Sequence, residues 1–175
     1  LGEVAAEISG TGGEMTARRF LVLQVLLVWQ GGFVFYAAFV VPAGTQLWGA
    51  AGQGAVTARV TDALNGVGLV GVALLAFDLA LTRDPQPRRT ACRWWAWAVV
   101  LVCQFLLFYL HQLLDAFMDD SRRVVVVRPP FYPVHRVYLW VSTLQWLACL
   151  LWLWWTVRAW SEEDRTASRS AIPIQ

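Results

Sequence analysis

The sequence predicts an all-α integral membrane protein, a bundle of four transmembrane helices. Three observations predict it. The chain is 58% hydrophobic and only 15% charged, whereas a soluble domain is about half apolar and about a quarter charged. Its apolar residues fall in four blocks, each long enough to cross a bilayer: about 20 residues at a 1.5 Å rise span the roughly 30 Å hydrocarbon core. Its eleven Trp suit belts at the membrane interfaces, and a Trp-rich soluble core would not absorb four such blocks.

Residues 1–17 are polar, with Glu3, Glu7 and Glu14, and read as a disordered segment. Met15, followed by Thr-Ala-Arg-Arg, resembles a natural start, so residues 1–14 read as a leader or an extension; they lack the apolar run of a secretory signal. The four-helix domain covers 18–160. Its first span is expected over 20–41, after Arg18 and Arg19 and up to Pro42, as an uncleaved signal anchor. The second is expected over 60–81, with Asn65, Gly66, Gly68 and Gly71 in its first half. The third covers 94–117 and the fourth 137–160. Between them lie a Gly-rich connection over 43–59 with an interfacial turn near Trp48, a short Arg/Pro loop over 82–93, and a longer one over 118–136. That last loop holds a Val run, 124–127, too short to span and read as an extended edge. The polar tail, 161–175, is expected to fray.

Orientation follows from Arg residues near the span ends, since cytoplasmic loops carry the excess of positive charge. Nine Arg (18, 19, 83, 88, 89, 93, 158, 165, 169) fall on one side and five (59, 122, 123, 128, 136) on the other. Both termini are therefore expected in the cytoplasm, and the chain to be a multi-pass protein of a bacterial inner membrane. All basic residues are Arg, a mark of genome composition. A net charge of +2 gives no nucleic-acid partner. Three Cys show no disulfide framework and no metal spacing. No nucleophile elbow, phosphate loop or zinc motif is present, so no enzyme activity, metal or obligatory cofactor is expected.

Polar residues inside hydrocarbon are costly and face other helices or a cavity. In the fourth span His135, Tyr138, Ser142, Gln145 and Cys149 recur at spacings of three and four, which puts them on one face. The third span carries a matching stripe of Gln104, Phe108, His111 and Asp115. Gln104 lies roughly 15 Å from the cytoplasmic end of its span, and Gln145 roughly 12 Å from the opposite end of its own. The depths nearly coincide, so the two amides are placed to bond each other. The same reckoning brings His111, Asp115, His135 and Arg136 together at the non-cytoplasmic mouth. Asp78, one turn from the cytoplasmic end of the second span, reads as an acid snorkelling to water. Gln24 lies at similar depth, with Arg19 or Arg158 able to reach Asp78.

Three readings of the mouth stand side by side. Its polar groups can be glue between helices, worth about 0.6 to 2 kcal/mol per hydrogen bond. They can be a ligand, proton or ion site. His111 and His135 can be ligands of haem b, though they lie at different depths. Gly31, Gly32 and the glycines of the second span let backbones approach closely. Trp94, Trp95, Trp97, Trp152, Trp154, Trp155 and Trp160 are expected in one interfacial belt, and Tyr132, Tyr138 and Trp140 in the other.

Two segments carry a family resemblance. The first span reads Gly31-Gly32-Phe33-Val34-Phe35-Tyr36, then Phe39-Val40-Val41-Pro42. The fourth opens Phe131-Tyr132-Pro133-Val134-His135-Arg136. Over about 130 residues the layout resembles the small four-helix membrane proteins of unknown function grouped with the transmembrane protein 205-like domain. That family has a Gly-Gly-x-x-Phe-Phe stretch closing on Val-x-Pro and a Phe-x-x-Leu-His-Arg start to its last helix. It often has Asn where this chain has Ser142 and Arg where it has Trp140. The resemblance implies a four-helix bundle and favours His135 and Arg136 as site residues; it implies no biochemical activity. The expected function is a bundle that binds or moves a small solute or proton through the polar cluster of its third and fourth helices. The alternatives are an accessory subunit of a larger membrane complex and a small b-type cytochrome.

Overall fold

A computed structural model describes residues 16–118 and 128–170. The expected disordered segment before residue 16 and the Val run at 124–127 lie outside them. Nearly all described residues are helical, in three long apolar stretches: α1 (Thr16–Leu81), α2 (Pro87–Ala116) and α3 (Arg128–Ser170). Each is long and apolar enough to cross a membrane.

The first stretch is folded on itself. Gly49 has φ 71° and ψ 172° inside an otherwise helical run. That region is essentially reserved for Gly, because a Cβ would be strained there. The limb before it (16–48) and the limb after it (50–81) lie side by side. Trp29 packs on Gly68 and Gly71, Gly32 faces Leu64, and the Tyr36 hydroxyl meets Thr57 Oγ1 at 2.9 Å. As residue number rises along the first limb, the facing number falls, so the limbs run antiparallel.

The turn expected near Trp48 within the 43–59 connection falls at Gly49, with helix on both sides of it. One expectation is corrected: Pro42 does not end the first helix. A π-helical turn, Tyr36–Val40, precedes it, and Pro42 opens a new α-helical segment. At that position its missing N–H and fixed φ cost little.

Thr82–Gln86 joins α1 to α2. Asp84 shapes the turn: its carboxylate accepts the Gln86 N–H (2.9 Å) and both Arg89 Nε and Nη2 (2.6 Å each). Burial acts to raise the Asp84 carboxyl, but these hydrogen bonds outweigh it and hold it below its ordinary value. Pro87 then opens α2 in its first turn, where Pro is best tolerated. The last helix starts earlier than expected, at Arg128, and takes in Pro133. It also ends later: the tail expected to fray stays helical to Ser170, because Glu163 and Asp164 are held by Arg18 and Arg19.

The core is apolar and drawn from every limb: Val22, Leu26 and Trp29; Val72 and Leu75; Ala96 and Val100; Ala148, Cys149, Trp152 and Trp160. Outside this core the usual distribution is inverted. Phe20, Leu27, Phe39, Phe77, Trp95, Phe105, Trp140 and Trp154 are exposed, while Gln53, Asn65, Asp78, Arg93, Gln104, Gln145 and Thr156 are buried. The expected Trp belt is accordingly split. Trp94, Trp95 and Trp154 are exposed, but Trp152 and Trp160 are core residues, and the Trp97 indole donates to the Val72 carbonyl at 3.0 Å.

Candidate functional site

Polar groups collect at three levels. At the end formed by the Thr82–Gln86 turn, the hairpin between α1 and α2, Asp78 is fully buried. It does not snorkel. Its Oδ2 accepts from Arg93 Nη2 (2.9 Å) and Thr82 Oγ1 (3.2 Å), and its Oδ1 from Trp160 Nε1 (3.1 Å), with Arg18 Nε 3.2 Å away. The chain continues outward. Arg18 Nη2 donates to Glu163 (3.1 Å), Glu163 also accepts from Arg19 (3.0 Å), and Arg19 reaches Asp164 (2.9 Å). Plus and minus alternate along Arg93, Asp78, Arg18, Glu163, Arg19 and Asp164, three of each. Arg93 is fixed further by Thr156 Oγ1 at 3.0 Å and by the Trp152 ring, 5.8 Å from its guanidinium carbon.

This network joins both limbs of α1 to α2 and α3. Every charge in it is matched, so it reads as a clasp. The expected partners are corrected. Gln24 is exposed on the outer surface. Arg158 lies over Trp154, 4.4 Å from the ring centre. Arg19 meets Glu163 and Asp164, and its own pKa rises because those acids outweigh the burial that acts to lower it. Arg18 and Arg93 take the places beside Asp78. A signal existed: Asp78 and Arg93 flank a short hairpin, which brings their helices together at that end.

At mid-depth Gln145 Nε2 donates to Gln104 Oε1 at 3.0 Å, the contact that equal depth predicts, and Gln104 Nε2 donates to the Asn65 carbonyl at 3.2 Å. The tight spacing comes from Gly68, where a Cβ would stand 2.5 Å from Gln104 Oε1. Ser142 turns back to its own helix, donating to the Tyr138 carbonyl at 2.9 Å. Cys149 accepts from Gln30 Nε2 at 3.4 Å. Apart from Ser142, these groups bond across helices and are helix glue.

At the end opposite the hairpin His111, nearly buried, points its Nε2 at Asp62 Oδ1, 2.6 Å away, and lies 3.5 Å from Asp115 Oδ2. His111 and Asp115 share a face of α2 at an i, i+4 spacing. Asp62 comes from the second limb of α1 and went unnoticed in the sequence. It stands near the same end of its helix as Asp115, so depth counting applied to every polar residue finds it. The two other expected members are elsewhere. The His135 ring stacks on Phe131 (5.8 Å, 26°) on its own helix, and Arg136 is exposed. Neither has a contact with His111 or Asp115 among the described residues.

The mouth therefore differs from the clasp in charge. Two carboxylates share one imidazole, and no Arg among the described residues pairs with them. Exposure climbs from 9% at His111 to 37% at Asp115 and 64% at Asp62, so the group opens to one side. Comparison of the chain with protein-family models, with curated proteins and with solved structures gave no match.

Proposed function

We propose that this chain is a four-span integral membrane protein that binds a small cationic solute at the mouth formed by Asp62, His111 and Asp115. The observation that carries the reading is the charge imbalance there. A structural polar cluster is expected to balance its charge, as the clasp does with three groups of each sign. Among the described residues negative charge is left in excess at the mouth and is reachable from one side, which favours a cation. Membrane insertion is supported by the apolar outer surface and polar interior, and a fourth span by the antiparallel limbs of α1, each longer than the roughly 20 residues a bilayer core requires. The Arg excess places the clasp end in the cytoplasm and the mouth on the far side. Likeness to the transmembrane protein 205-like family belongs to the same proposal, for the layout alone.

Two measurements test it. Cys92 is exposed near the hairpin, whereas Cys103 and Cys149 are buried. A membrane-impermeant maleimide should label inside-out vesicles at Cys92 and leave intact cells unlabelled; the reverse pattern refutes the orientation. Equilibrium dialysis of the purified chain against a panel of small cations should show binding that Asp62→Asn weakens. Absence of binding by any of them refutes the site.

A further inference from the structure

Resting on that reading of the mouth, we propose that its ligand is a divalent first-row transition-metal ion, held by His111 Nε2 and one oxygen each from Asp62 and Asp115. One ligand atom from each of these three residues lies within 4.8 Å of the others. Zn²⁺ binds nitrogen and oxygen at about 2.0 to 2.2 Å, which sets tetrahedral ligand atoms about 3.4 Å apart. His111 Nε2 and Asp115 Oδ2, 3.5 Å apart, already have that spacing. The His111–Asp62 distance, 2.6 Å, is that of a short hydrogen bond. Widening it by roughly 0.8 Å to admit a metal asks movement only of Asp62, whose side chain is 64% exposed and free to give.

The ligand types select the ion. Mg²⁺ and Ca²⁺ favour all-oxygen shells, whereas imidazole with carboxylates suits Zn²⁺, Mn²⁺, Fe²⁺ or Co²⁺. His111 and Asp115 chelate from one helix face at i, i+4, and Asp62 closes the site from the neighbouring helix. Two carboxylates neutralise the ion's charge. Three protein ligands leave a position for water on the exposed side, the arrangement of an exchangeable ion and not of a sealed structural one.

The test uses the full chain in detergent, stripped with a chelator and titrated with Zn²⁺ and with Co²⁺, with Mg²⁺ and Na⁺ as comparators. One ion per chain should bind. Co²⁺ should develop visible absorption that His111→Ala abolishes. His111→Ala and Asp62→Asn should each weaken Zn²⁺ binding at least tenfold. Asp62 is exposed, so Asp62→Asn should unfold as the parent chain does, and its loss of binding cannot be a folding defect. Absence of stoichiometric Zn²⁺ or Co²⁺ binding overturns the proposal, as does affinity indifferent to both variants. If only Na⁺ or an organic cation binds, and Asp62→Asn weakens it, the metal assignment falls while the mouth remains a cation site. If no cation binds, both fall.

Discussion

Replacing Asp78 by Asn removes one charge from the centre of the clasp and almost nothing else in volume. The carboxylate accepts three hydrogen bonds, one from Arg93, and stands beside a second guanidinium, that of Arg18, at full burial. An Asn amide presents one acceptor oxygen and turns a donor toward the arginines. Arg18 keeps Glu163; Arg93 keeps no counter-charge of its own. Breaking a buried pair from one side costs about 3 to 5 kcal/mol, because the surviving charge is stranded, whereas replacing both partners together is often neutral. Asp78→Asn should therefore destabilise by about 3 to 5 kcal/mol, and the added change Arg93→Met should recover most of that loss. The assay is reversible unfolding in mixed micelles for the parent, both single variants and the double variant, read as a thermodynamic cycle. A cost below about 1 kcal/mol, the value of an exposed ion pair, with no rescue by Arg93→Met, would refute the argument and return Asp78 to water.

Three further outcomes follow from the same geometry. A Cβ at Gly71 would stand 2.7 Å from the Trp29 ring, but nothing lies within 4 Å of one at Gly66; Gly71→Ala should cost about 1 to 3 kcal/mol and Gly66→Ala should be neutral or stabilising, in the same unfolding assay. Gly49 has open space around it but a backbone that L residues avoid, so Gly49→Ala should cost about 1 to 3 kcal/mol without any clash; a neutral result would mean the reversal lies elsewhere. Asp84 has a folded pKa below its ordinary 3.8, so its stabilisation is complete above that value and lost as pH falls through the folded one. The stability gap between the parent and Asp84→Asn should then be constant near neutrality and shrink on acidification below 3.8, and a gap that widens there reverses the sign.

Helical class, apolar stretches and the inward face of each stripe were legible along the chain, because hydrophobic length and helical period are one-dimensional properties. Depth was legible too: counting rise along two helices put Gln104 and Gln145 level, and they touch. What counting could not supply was the order of helices around the bundle, and that order decides partners. Asp78 had several arginines in reach by depth, and packing assigned it Arg18 and Arg93 while Arg158 turned out over Trp154. His135 stands level with the mouth by the same count, yet its helix turns it onto Phe131, and Asp62 takes the place beside His111. The turn near Trp48 was legible, but the helix on both sides of it was not, because Gly is a poor helix former until neighbouring helices supply the contacts that keep it helical. The sequence by itself determined that the chain is a set of membrane-length helices with polar groups turned inward at mid-depth and at one mouth. Only tertiary structure decided which groups meet, and hence that among the described residues charge is balanced at the clasp and left in excess at the mouth, because Coulomb energy depends on distances between helices that no spacing along one of them contains.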